Sequence, residues 1–178
     1  MMSFYPKRPV KSFQDLEIYQ KSLALTAEIF KRLEEDSSAR SLLAGQGETL
    51  KKSKVAAEVI TPSSFSKQKE ILLETLLTAI LELPKLLAKG HGLRFAEPPS
   101  AVKTMEEAML VCNKIVVYLE LYRDLCNKAI EFDFFDEAIK SYLTLRFKIL
   151  HLIKSWERIE KSYAASLPPR QKSVFSSK

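Results

Sequence analysis

Two long series of apolar residues at alternating intervals of three and four constrain this chain more than any other feature. Met105, Ala108, Cys112, Ile115, Leu119, Tyr122, Cys126 and Ala129 form the first. Phe135, Ala138, Tyr142, Leu145, Ile149, Leu152, Trp156, Ile159 and Tyr163 form the second. A spacing that averages 3.5 keeps a stripe on one side of an α-helix and is incompatible with the two-residue period of a strand. Glycine usage agrees. The 178 residues contain only 4 glycines, where an average chain would have about a dozen. All lie in two G-x-G pairs, Gly45/Gly47 and Gly90/Gly92, leaving long glycine-free tracts between them. No segment shows a strand pattern, so the predicted class is all-α: an antiparallel four-helix bundle, up-down-up-down.

The spacing predicts helices over about 13–35, 67–89, 104–130 and 135–163, within a bundle spanning 12–163. The first begins at Ser12, a side chain suited to an N-cap, with Asp15 in the first turn. Its inward stripe reads Leu16, Tyr19, Leu23, Thr26, Phe30 and Leu33. Ile18, Leu25 and Ile29 then fall near the opposite side of the helix, and a second apolar face points to a contact between subunits. In the second helix, nine apolar residues between Leu72 and Leu87 cover about half the circumference. Gly90 ends that helix, and the Gly90-His91-Gly92 run reads as a cap and turn. Pro98-Pro99 separates it from the third helix, where Thr104 and Glu107 match a capping box. Residues 36–66, with Gly45, Gly47, Pro62 and many serines, read as a long connection.

The net charge of +6 lies entirely outside the bundle. The basic tails 1–11 and 164–178 carry Lys7, Arg8, Lys11, Arg170, Lys172 and Lys178 and no acid, which leaves the body neutral. Short basic ends can contact phosphate backbones or simply keep a chain soluble. Cys112 and Cys126 are 14 residues apart in one helical pattern, about 21 Å along the axis and beyond disulfide reach. They read as core residues of a reducing compartment. The first twelve residues contain no apolar signal core, and the richest apolar run, 71–87, is broken by Glu74, Glu82 and Lys85. A cytoplasmic protein without membrane contact is the expectation.

Ser12-Phe13-Gln14-Asp15-Leu16-Glu17-Ile18-Tyr19-Gln20-Lys21-Ser22 resembles the S-F-x-D-L-x-[VI]-[WY]-Q-x-[AS] opening of a bacterial four-helix-bundle family. That family comprises the proteins encoded by intervening sequences in 23S ribosomal RNA genes. Its relatives are the accessory variability determinants of diversity-generating retroelements. Leu83-Pro84-Lys85-Leu86-Leu87-Ala88-Lys89-Gly90, with Arg94 beyond it, is similar to the family's I-P-x-N-I-A-E-G. Leu86 and Lys89 depart from it. Leu152-Ile153-Lys154-Ser155 is similar to its L-I-K-S. The resemblance touches three of the four helices. It implies a ring-shaped homo-oligomer, a pentamer, with no enzymatic activity. In the retroelement branch it further implies partnership with a reverse transcriptase and with RNA or DNA.

The last helix carries the candidate site. Lys140, Phe147, Lys154 and Lys161 take its outermost positions, with Arg146, Lys148, His151 and Arg158 beside or between them. A cationic row with an aromatic ring interleaved can neutralise phosphates and stack on a base. Exposed charges are also ordinary on a solvated helix face. A subunit contact is the third reading, because Leu143, Phe147 and Leu150 lie on the same outward side. Other chemistries find little support. Two histidines in different segments supply no metal set, no Glu-x-x-His pair occurs, and neither cysteine has a base beside it. Gly90-His91-Gly92 lacks the G-K-[ST] ending of a phosphate loop. No cofactor is expected. The function expected is a non-enzymatic, oligomeric nucleic-acid-binding or scaffold protein. The alternative is a purely structural protein–protein module.

Overall fold

A computed structural model describes residues 10–35, 62–126 and 130–166. Four α-helices account for nearly all of them, and no strand occurs among the described residues. They are α1 (Glu17–Glu35), α2 (Pro62–Leu93), α3 (Pro98–Leu125) and α4 (Phe132–Ser166). α3 packs against α2 and α4, and α1 closes the set by touching α2 and α4. Among the described residues, no Cα of either diagonal pair comes within 8 Å of its counterpart helix, so these pairs meet only through side chains. Between the four lies one continuous apolar core. The 36–61 part of the connection, residues 1–9 and 167–178 of the two tails, and Ala129 lie outside the described residues. Residues 62–66, expected in the connection, open α2, and residues 164–166, expected in the C-terminal tail, continue α4.

Both seams point into that core. In α3 every described member is buried, from Met105 to Cys126. In α4 the buried series runs Phe135, Ala138, Tyr142, Leu145 and Ile149, then moves to Ile153 and Trp156. Leu152 is only partly covered and Ile159 is 65% exposed. The shift is geometric. A straight helix has 3.6 residues per turn, so a strict 3.5 repeat drifts about 20° per heptad and leaves the core after several turns.

α1 overturns part of the assignment of its two faces: Leu16 and Leu33 of the expected inward stripe are buried, at 6% and 3% exposed, but the middle of that stripe is not. Ile18 and Ile29 are 5% and 1% exposed and belong to the core, with Leu25 half-buried against it. These three residues therefore do not form a free subunit contact. Leu23 is exposed instead, while Tyr19, Thr26 and Phe30 take flanking positions. Both stripes have three-four spacing, and they lie only about 100° apart around the helix. Packing chooses between them. Ser22, fully buried between Ile18 and Ile29, is small enough for close approach, and its hydroxyl donates to the Tyr19 carbonyl at 2.7 Å.

The helix ends also differ from the expected ones. Ser12 caps a 3-10 turn over Phe13–Asp15 in a reciprocal capping box with Asp15, and α1 starts only after Leu16. α2 runs through Gly90 and His91 to Leu93, so the G-x-G pair is neither stop nor turn. Gly90 is where α2 approaches α3: a Cβ there would stand 3.1 Å from Met105 Cε and 3.2 Å from its Cγ. A Cβ at Gly92 would meet open space. α3 begins at Pro98 rather than Thr104. The two prolines lack N–H groups and occupy the first turn, where those donors would have no helical partner. Thr104 is a buried interior residue whose hydroxyl donates to the Ser100 carbonyl at 2.8 Å, and no capping box forms there. α4 opens at Phe132, three residues early, with Asp133 in its first turn.

Candidate interface on the last helix

The expected cation row divides in two. Lys140, Lys154, Arg158 and Lys161 are exposed, together with His151 and Phe147. None of the four cations has a carboxylate within ion-pair distance among the described residues. Arg158 donates only to the Lys154 carbonyl, at 3.2 Å. Phe147 is 58% exposed, and its ring meets His151 edge-on with centroids 4.4 Å apart.

Lys148 and Arg146 leave the row. Lys148 lies on the side of α4 that faces α1 and donates to Glu17 Oε1 at 2.6 Å. Glu17 also accepts from Lys21 at 3.1 Å, and the two ammonium groups hold its carboxyl down at about 2. Arg146 lies toward α3 and is half-buried; its Nε is covered and has no hydrogen-bond partner. Burial pushes the Cys112 thiol up to about 12, which leaves it protonated and inert. Tyr142, fully buried nearby, has a hydroxyl with no partner.

Of the expected interface residues, Leu143 is exposed and Leu150 half-buried on the outer side of α4. Ile18, Leu25 and Ile29 lie on α1, turned toward the interior, and are not brought together with them. Sequence reasoning missed a comparable surface on α3. Leu110, Val117, Leu121 and Leu125 are 67%, 50%, 40% and 51% exposed. Their intervals of seven, four and four were available as a signal, but the stronger seam on the same helix masked it.

A second unanticipated cluster joins α2, α4 and the turn before α1. Arg94 lies over the Phe95 ring at 4.2 Å and the Trp156 ring at 5.8 Å. His91, beside it, is 9% exposed with Nε2 unpartnered. Burial pulls its pKa down, Arg94 adds to that shift, and Asp15 opposes it. The folded state thus holds His91 neutral, whereas the unfolded chain protonates it near the ordinary value of about 6.5. Its contribution is fully present above that value and is lost as pH falls below it toward the folded pKa. Urea midpoints at pH 7.5 and 5.5 test this: the wild type loses more stability on acidification than His91→Leu does.

Among the described residues, no three His, Cys, Asp or Glu side chains are grouped to hold a metal ion. No described helix is long and apolar enough to cross a membrane. Comparisons with protein-family models, with curated proteins and with solved structures find no match.

Proposed function

We propose that this chain is a non-enzymatic, self-associating helical scaffold that binds nucleic acid through the cations of α4. The observation that carries this reading is the set Lys140, Lys154, Arg158 and Lys161, exposed on one helix and lacking any acidic partner among the described residues. Cations already committed to carboxylates gain little from phosphate. Cations without such partners release counterions when they meet it, so affinity falls as salt rises. The resemblance supports the remainder: a ring, a pentamer, in the cytoplasm, with a reverse transcriptase as the protein partner to test. An up-down antiparallel order is supported by contacts between helix ends. Arg123 at the end of α3 binds Asp136 at the start of α4 at 2.8 Å, and Arg32 at the end of α1 lies over Phe134 at 5.5 Å.

A second reading, a protein–protein module with no nucleic-acid role, is favoured by Leu143 and Phe147, apolar side chains exposed within the same row. Binding to single-stranded RNA and DNA across a salt series separates the two. Arg158 and Lys161 lie beyond the apolar part of the row, so Arg158→Glu/Lys161→Glu is the informative variant. The expected result is weaker binding and a salt slope shallower by about one to two units. An unchanged affinity and slope would favour the module.

A further inference from the structure

The outer faces of α3 and α4 carry matching layers. On α3, Glu106, Leu110, Asn113, Val117 and Glu120 are all exposed and follow intervals of four, three, four and three. On α4, Lys140, Leu143, Phe147, Leu150 and Lys154 follow three, four, three and four; all are exposed except half-buried Leu150. Read backwards, the α4 series has the α3 intervals. Each series covers 14 residue steps, about 21 Å of helix. Both place two like charges at the ends, with opposite signs on the two helices; between them stand Leu143, Phe147 and Leu150 on α4, and Leu110 and Val117 on either side of polar Asn113 on α3. None of these four end charges has an ion-pair partner among the described residues.

We infer that the outer face of α3 in one copy docks antiparallel on the outer face of α4 in a second copy. Five layers result: Glu106 with Lys154, Leu110 with Leu150, Asn113 with Phe147, Val117 with Leu143, and Glu120 with Lys140. Antiparallel helices pair the two kinds of seam position with each other, and this register does so in every layer. A parallel arrangement would bring like seam positions opposite and lose the alternation. The two surfaces differ, so the contact is heterologous: each copy offers one face to each of two neighbours, and repetition closes a ring or extends a filament. Covering exposed Leu110, Val117, Leu143 and Phe147 supplies the apolar gain, and the end charges set direction and register.

This inference rests on the self-association reading and names its surfaces. It also narrows the nucleic-acid row, since docking covers Lys140, Phe147 and Lys154 and leaves His151, Arg158 and Lys161 to meet phosphate.

Charge reversal on the full chain tests it, read by light scattering across a concentration series with circular dichroism as the check on folding. Glu106→Lys/Glu120→Lys is expected to weaken association by at least tenfold with helicity intact. Adding Lys140→Glu/Lys154→Glu in the same chain is expected to restore it. Mild oxidation of a mixture of Val117→Cys and Leu143→Cys chains supplies the second measurement. The expected product is the mixed disulfide, with neither variant cross-linking alone. An oligomer that ignores the charge reversal, or that yields only Val117→Cys homodimers, overturns the pairing while leaving self-association standing. A wild-type chain that stays monomeric overturns both.

Discussion

Replacing Ile29 with alanine is expected to lower the unfolding free energy by about 2–5 kcal/mol, the range for deleting a large aliphatic side chain from a packed core. Ile29 is 1% exposed and lies in the cluster that joins all four helices. The cavity left on α1 faces α2 and α4, each held by further contacts with α3, so it closes poorly. Chemical denaturation measures the loss, and its dependence on protein concentration carries the diagnosis. A core residue loses stability equally at all concentrations, whereas an interface residue shifts the midpoint through mass action. Leu23→Ala is the control. That side chain is 44% exposed, and its removal should change stability by no more than about 0.5 kcal/mol. Should the two effects be reversed, α1 would be turned the other way in solution.

Tyr142→Phe is expected to stabilise the protein by about 1–3 kcal/mol, the penalty a buried hydroxyl carries when it has no hydrogen-bond partner. The Tyr142 ring is fully buried in the α4 seam, and its hydroxyl has no partner. Burial raises its pKa, so the group remains a neutral phenol across the working range. Phenylalanine keeps the ring and removes only the oxygen, which avoids the cavity that alanine would leave. The thermal midpoint should rise. A fall would mean that the hydroxyl is satisfied in solution, with an ordered water as the simplest agent.

Much of the architecture was legible from spacing, and the reason is local. Seven described α3 seam residues are buried as the three-four rhythm requires, because consecutive members of a seam lie on the same side of any helix. The α4 seam was legible through Ile149 and then drifted, since periodicity accumulates error along a helix. Helix ends were harder. Pro98-Pro99 and Gly90 have two uses each, as breakers or as parts of a helix. Which use holds depends on a neighbour: Met105 closes on Gly90, and a first turn accommodates proline. In the candidate site, the exposed cations Lys140, Lys154, Arg158 and Lys161 sit where the heptad frame puts them. Lys148 and Arg146 do not join them, because a frame shows which side of its own helix a residue takes but not which helix stands beside it.

Sequence alone therefore determined that this protein is helical, that two long seams line its core, and that its net charge of +6 belongs to the two ends rather than the bundle. These follow from properties that each segment carries by itself. Tertiary structure decided that Ile18, Ser22 and Ile29, rather than Tyr19, Leu23 and Thr26, take the middle of the buried side of α1. It also decided where Glu17 captures Lys148, and that the outer faces of α3 and α4 are left uncovered within one copy. Those outcomes depend on distances between segments remote in the chain, such as the 131 residues between Glu17 and Lys148, and no local period encodes them.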